Sequence, residues 1–186
     1  MSQAQVSSYV LRKVNMMLET RERGVTKAML ANLRRGIGKV PGELPELWGE
    51  FLQDIPEEFL SKNGEPTKEE WAIYIALTMF ALHQQGREMP MHQQGASLGR
   101  AVRKLEKDKD DRERVLRRFG PIVTATDMQG LSYHLRNMIQ LLRSEGISLD
   151  YGMLANDLFW FQFAEQQNKV KLNWGEEYYK QNREEE

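Results

Sequence analysis

The 186-residue sequence is predicted to be all-α, a multi-helix bundle of about eight to nine helices in one domain spanning 1–186. Three observations predict it. Apolar residues recur at i, i+3, i+4 and i+7 in segment after segment. Cap residues open those segments and glycines close them. No stretch alternates with period two between hairpin turns.

The elements follow in order. Val6, Val10, Val14, Met17 and Leu18 give residues 4–20 one apolar face, so a first amphipathic helix is expected there. Thr26 is expected to cap a second helix that runs to Arg35 and stops at Gly36 and Gly38. Pro41, Gly42 and Pro45 mark a loop, with a short helix at about 46–53. Thr67 and Glu70 form a capping-box pattern that opens the most apolar segment, Trp71 to Leu82. A bilayer crossing needs about 20 apolar residues, and this run is much shorter, so it reads as a buried helix. Residues 86–96 read as a loop. Ser97 is expected to cap a helix to about Lys107, and the acidic connection 108–111 is the candidate seam between two helical halves. A helix over 112–119 should end near Gly120-Pro121. Asp127 opens a long helix over 128–145 with Leu131, Leu135, Met138, Ile139 and Leu142 on one stripe, and Gly146 stops it. Asp150 caps the next helix, which carries Leu154, Leu158 and Phe159, and a last helix is expected over 168–181.

Composition narrows the functions. With 40% hydrophobic and 28% charged residues the chain is of the soluble globular kind, and without an apolar leader the expected location is the cytoplasm. The absence of cysteine excludes disulfides, thiolate catalysis and Cys-based metal sites. The histidines His83, His92 and His134 have no partner at i+3 or i+4, so no metal site and no cofactor is expected. Gly36-Ile37-Gly38-Lys39 fails as a phosphate loop: it follows a helix and has Val40 where Ser or Thr should stand. No nucleophile has a base beside it, so no enzymatic activity is expected.

The 26 basic and 27 acidic residues nearly cancel, but they are segregated. Residues 21–40 hold six basic residues against one acid, and 95–120 hold nine against five. Residues 41–70 hold nine acids against two lysines, and 151–186 hold seven against four basic residues. Arg100, Arg103, Lys104 and Lys107 share a helical spacing, as do Arg114, Arg117 and Arg118. Arg136, Gln140 and Arg143 run along the long helix away from its apolar stripe. Lys27 and Arg34 lie seven apart on the second helix, with Arg35 and Lys39 at its exit. Like charges at i, i+4 weaken a helix by a few tenths of a kcal/mol, a cost that a polyanion would offset. The other outlet for these cations is pairing with the acidic 43–70 segment or with an acidic partner protein. Trp48, Trp71, Trp160 and Trp174 read as packing residues, which leaves Tyr178 and Tyr179 as candidates for base stacking.

Several segments together resemble one family. They are LRRGIGKVPG at 33–42 followed by Trp48, ALTMFALHQQG at 76–86, GASLGRAVRKL at 95–105 and RRFGPIVTATD at 117–127. HLRNMIQLLRSEGISLDYGMLANDL at 134–158 and WGEEYY at 174–179 complete the series. The chain resembles the CasB family, the small subunit of the type I-E CRISPR surveillance complex, Cascade. The resemblance implies an all-helical, non-catalytic protein of antiviral defence. It implies as partners the other Cascade subunits, a second copy of itself, the crRNA-paired target DNA and the displaced single strand of the R-loop. It implies no membrane and no small-molecule substrate. Carried over motif by motif, it marks Arg34, Arg35, Arg100, Arg117, Arg118, Arg136 and Arg143 as nucleic-acid contacts. Lys27, Lys39, Arg103, Lys104 and Arg114 join them from the charge stripes.

Overall fold

The computed structural model describes residues 2–108 and 110–180. Among them the chain forms nine α-helices and two short 3-10 turns, and no β-strand, as the periodicity predicts. They are α1 (Ser2–Glu19), α2 (Gly24–Arg35), α3 (Trp48–Phe51), α4 (Lys68–His83), α5 (Leu98–Arg103), α6 (Asp111–Thr124), α7 (Met128–Glu145), α8 (Tyr151–Phe161) and α9 (Ala164–Tyr179). The 3-10 turns lie at Pro45–Leu47 and Glu57–Phe59.

Helix α4 is the axis of the fold. Every residue from Ala72 to His83 is buried, and α1, α2, α7 and α8 pack around it. A helix that is apolar on all sides is stable only when it is surrounded. Its capping box forms as expected: Thr67 Oγ1 accepts from the Glu70 amide at 3.0 Å, and Glu70 Oε2 accepts from the Thr67 amide at 2.8 Å. Helix α8 bridges α1 and α4 to α9, α9 packs against α5, and α6 lies on α7. Asp127 and Asp150 cap α7 and α8, and Gly146 ends α7 in the left-handed conformation at φ 69°. No helix among the described residues is long and apolar enough to cross a membrane.

Four elements differ from expectation. Thr26 does not cap α2; it is buried inside it, and its hydroxyl lies 2.7 Å from that of Thr20 across the tight turn after α1. Helix α5 stops at Arg103 rather than near Lys107. Just beyond, the Asp108 carboxylate takes the amides of Asp110 and Asp111 at 2.9 and 3.0 Å, a local alternative to helix. Helix α6 runs through Gly120-Pro121 to Thr124, because Gly120 has no Cβ to meet the proline ring and Ile122 must reach the core. Helix α9 begins at Ala164, where the Phe163 carbonyl accepts from the amides of Gln166 and Gln167, both at 2.9 Å. Of its predicted end, Gln181 lies outside the described residues. Trp48, read as a packing residue, is 49% exposed and donates to the Gly42 carbonyl at 3.1 Å.

Two buried titratable groups lie along this core. His83 Nδ1 is 2.9 Å from the Tyr151 hydroxyl, which also reaches the Met79 carbonyl at 3.2 Å, while Nε2 has no well-formed hydrogen bond among the described residues. Burial pushes the His83 pKa down to about 4, with the Ile147 backbone opposing and Arg143 and Arg87 adding to the shift. Asp157 accepts from the Trp174 indole at 2.6 Å, and burial nevertheless pushes its pKa up to about 6. The two act in opposite directions on stability. Between about pH 6.5 and 4 the unfolded chain binds the His83 proton that the fold refuses, so acidification destabilises the fold. Between about pH 4 and 6 the fold keeps the Asp157 proton that the unfolded chain releases, so raising the pH destabilises it. Each gap is worth about 3 kcal/mol. His83→Gln should therefore gain stability relative to the parent as pH falls from 6.5 to 4, and Asp157→Asn should gain it as pH rises from 4 to 6. Urea denaturation across that range checks both slopes, and two flat differences would refute the assignment.

Candidate nucleic-acid interface

Eight of the twelve predicted cations fall into three groups. The first lies in a groove of about 970 Å³ where α5 and α6 meet the end of α9. Arg100, Arg103 and Lys104 line it, joined by Arg112 and Lys180, which the charge stripes did not single out. Two carboxylates share the groove. Glu106, whose side chain is 3% exposed, binds Arg103, Arg112 at 3.4 Å and the Tyr178 hydroxyl. Glu177 binds Arg100, Lys180 at 2.5 Å and the Ser97 hydroxyl at 3.3 Å. Its pKa is held low by Lys180 first, against burial, with Arg100 adding. Among the described residues, five cations against two carboxylates leave the groove positive. The carboxylates also hold the guanidinium groups in place, so little side-chain freedom remains to be lost when an anion binds. Neither Glu106 nor Glu177 stood out in sequence: each has one local partner at i,i+3, Arg103 and Lys180, and the partners that make it part of the groove come from other helices.

Local packing positions the groove. The Ser97 hydroxyl accepts from the Arg100 amide at 3.5 Å and opens α5. Asp150 uses Oδ1 to cap α8, through the amides of Gly152 at 2.9 Å and Met153 at 3.0 Å. Its Oδ2 takes the Gly95 amide at 2.7 Å. One carboxylate thus ties the start of α8 to the turn that leads into α5. The Tyr151 amide donates to His92 Nδ1 at 3.2 Å, fixing the same loop. Gly99 lets α5 lie directly on α9: a Cβ there would collide with the Trp174 carbonyl and stand 2.8 Å from the Tyr178 amide nitrogen.

The second group lies between α6 and α7, where Arg117 and Arg118 face His134, Asn137 and Gln140 across a space of about 480 Å³. Arg114 and Arg118 also flank a narrow cleft beside Lys107. Lys107 has left the predicted α5 stripe, since the helix has already ended, and pairs with Glu145 at 2.7 Å. Arg114 pairs with Asp111, and Arg117 with Glu113 at 2.8 Å, in exposed pairs of little energetic weight.

The third group caps helix ends. Arg34 donates to the Ala81 carbonyl and Arg143 to the Leu82 carbonyl, each at 3.4 Å, and both carbonyls belong to the last turn of α4. Arg143 also reaches Gln85 Oε1 at 2.9 Å. Burial, then the neighbouring Arg143, lowers the Arg34 pKa. Arg87, from the loop after α4, donates to the carbonyls of Arg143 and Ser144 at the end of α7. Cations suit helix C-termini, so these residues carry a structural role that their charge alone does not reveal. Of the remainder, Lys27 pairs with Glu22 at 3.2 Å, Lys39 with Glu43 at 2.8 Å, and Arg35 bonds Asn32. Arg136 is exposed on the Arg143 side of α7. Among the described residues, Lys39–Glu43 is the one ion pair between a predicted cation and the acidic 43–70 segment; the others use acids close to them in the fold.

This arrangement of helices and motifs is a known one. A family model for the CRISPR-associated protein Cse2 matches residues 29–179. The chain belongs to the Cse2 family. CasB from Thermobifida fusca, known from its crystal structure, is similar at 33% identity and a TM-score of 0.79, over 94% of this chain and 98% of that one. CasB from Thermus thermophilus shares the fold at a TM-score of 0.67 and 22% identity, over 91% and 97%. M. ruber CasB does so at 0.61 and 21%, over 90% and 92%. No protein of curated function matches the chain. The resemblance drawn from the motifs is thereby borne out. Cse2 is a CRISPR-associated Cascade subunit, and the other Cascade components are the partners that membership implies.

The groove's geometry makes opposite demands on two glycines of the Cse2 motifs. Gly99→Ala should cost about 1–3 kcal/mol through overpacking against α9. Gly175→Ala, on α9 with nothing within 4 Å of the new Cβ, should instead gain about 0.5–1 kcal/mol from helix propensity. Chemical denaturation of the two variants distinguishes them by sign.

Proposed function

We propose that this protein is a non-catalytic Cascade subunit that holds the target and displaced DNA strands through its basic helix faces and so stabilises the crRNA-guided R-loop. The observation that carries this reading is the groove between α5, α6 and α9, where five cations outnumber the two carboxylates that orient them. Arg117 and Arg118 extend the basic surface onto the α6–α7 side. The absence of catalysis is supported by how the histidines are used: His83 and His92 both bind Tyr151, in structural roles.

The energetics suit the role. Replacing DNA pairs by RNA–DNA pairs is nearly balanced, so a few phosphate contacts tip the exchange. Such contacts are independent of sequence and weaken with salt. Arg34 and Arg143, engaged with the end of α4, are better assigned to the scaffold than to first contact with DNA.

The test is R-loop formation by Cascade assembled with Arg100→Ala, Lys104→Ala and Arg112→Ala combined, measured across a salt series. The expected outcome is a less stable R-loop, with the log–log salt slope reduced by about 0.7 for each single-strand phosphate contact removed. An assembled complex with unchanged R-loop stability and slope would refute the DNA contact. Failure to assemble, by a folded variant, would favour the other reading, a helical scaffold whose basic faces meet acidic partner surfaces.

A further inference from the structure

Tyr178 and Tyr179 are adjacent on the last turn of α9 and have opposite environments. Tyr178 is 1% exposed, with its hydroxyl on Glu106 and its ring 5.8 Å from that of Phe119. Tyr179 is 61% exposed. Its ring rests edge-on against Tyr178, with centroids 4.8 Å apart and planes at 83°, so a buried neighbour steadies an exposed ring.

The position of that ring is informative. Tyr179 lines the basic groove with Arg100, Arg112 and Lys180. It also walls a shallow neighbouring cleft of about 520 Å³ with Val123, Leu172 and Gly175, where Lys171 and Glu176 stand as well but the exposed surface is almost all apolar, and Leu172 is 62% exposed. An aromatic ring therefore divides a cationic channel from an apolar one. Phosphate binding alone gives no reason for the apolar side. A single strand has both chemistries: its backbone suits the cations, and its unstacked bases suit an aromatic face and an apolar wall. A duplex keeps its base faces inside and offers the ring nothing to stack on.

We propose that Tyr179 is a base-stacking platform and that the α5–α6–α9 groove takes single-stranded nucleic acid, with phosphates on the arginine side and a base over the ring toward Leu172. The inference rests on the phosphate-binding reading of the groove and adds the residue that engages a base.

The experiment uses the purified full-length chain, with fluorescence anisotropy of a labelled oligothymidylate and of a labelled duplex of the same length, over a salt series. Tyr179→Ala should weaken single-strand binding roughly 5- to 150-fold, the range for loss of one stacked base, and duplex binding less than about twofold. Its salt slope should equal the parent's, because stacking releases no counterions. Tyr179→Phe should bind as the parent does. Arg100→Ala with Arg112→Ala should instead lower the slope for both probes. Equal weakening of both probes by Tyr179→Ala, or of neither, overturns the stacking assignment while leaving the phosphate groove intact. Unchanged oligothymidylate binding with lost assembly into Cascade also overturns it and makes the apolar wall a protein contact. Salt-independent or absent binding of both probes by the parent overturns the phosphate reading together with this one.

Discussion

Enclosing α4 on all sides concentrates apolar burial on one helix, and it also removes water from that helix's ends. The carbonyls of its last turn must then find donors within the protein. The N-terminal end satisfies itself through the Thr67–Glu70 box. The C-terminal end does so only in part, through the Gln84 and Gln85 amides on the Phe80 and Leu82 carbonyls, and it draws guanidinium groups from α2 and α7, as Arg34 and Arg143. The loop leaving α4 returns the contact, sending Arg87 to the end of α7. Two helix C-termini are thus laced through each other's neighbourhoods, and His83 is sealed beneath them with a neutral ring. A share of the chain's arginines is fixed by this requirement before any ligand is considered.

The second tier is built by carboxylates. Asp150 joins the start of α8 to the turn before α5, and Glu106 and Glu177 gather cations from α5, from α6 and from beyond α9. Each acid satisfies several donors at once, which is how charge can be partly buried without being stranded. The resulting surface is positive, but it is an ordered positive, with guanidinium planes held by hydrogen bonds.

Much of the fold was legible because its signals are local. As caps, Thr67, Asp127, Asp150 and Gly146 each act within a turn of their own position, and the stripe on α7 needs only its own periodicity. Where expectation failed, tertiary demands overrode local ones: Ile122 drew α6 past a proline, and the Asp108 turn cut α5 short. The site was legible to a lesser degree. Period placed Arg100 and Arg103 together, because they share a helix. Lys180 and Glu177 pair locally at i,i+3, but Arg112 and Glu177 join the α5 cations only when α6 and α9 fold onto α5, and no spacing along the chain encodes that. Arg34 and Arg143 were visible as charges, while the carbonyls they serve lie far away in sequence.

Gly99 sets the dimension of the groove. Because α5 touches α9 backbone to backbone there, with no side chain between, the spacing of the two walls is set by main-chain contact. Side chains can turn to suit a ligand; a helix resting on another helix's peptide groups has no such freedom short of unpacking. The distance between those two walls is therefore a property of the main chain and not of the rotamers that line it.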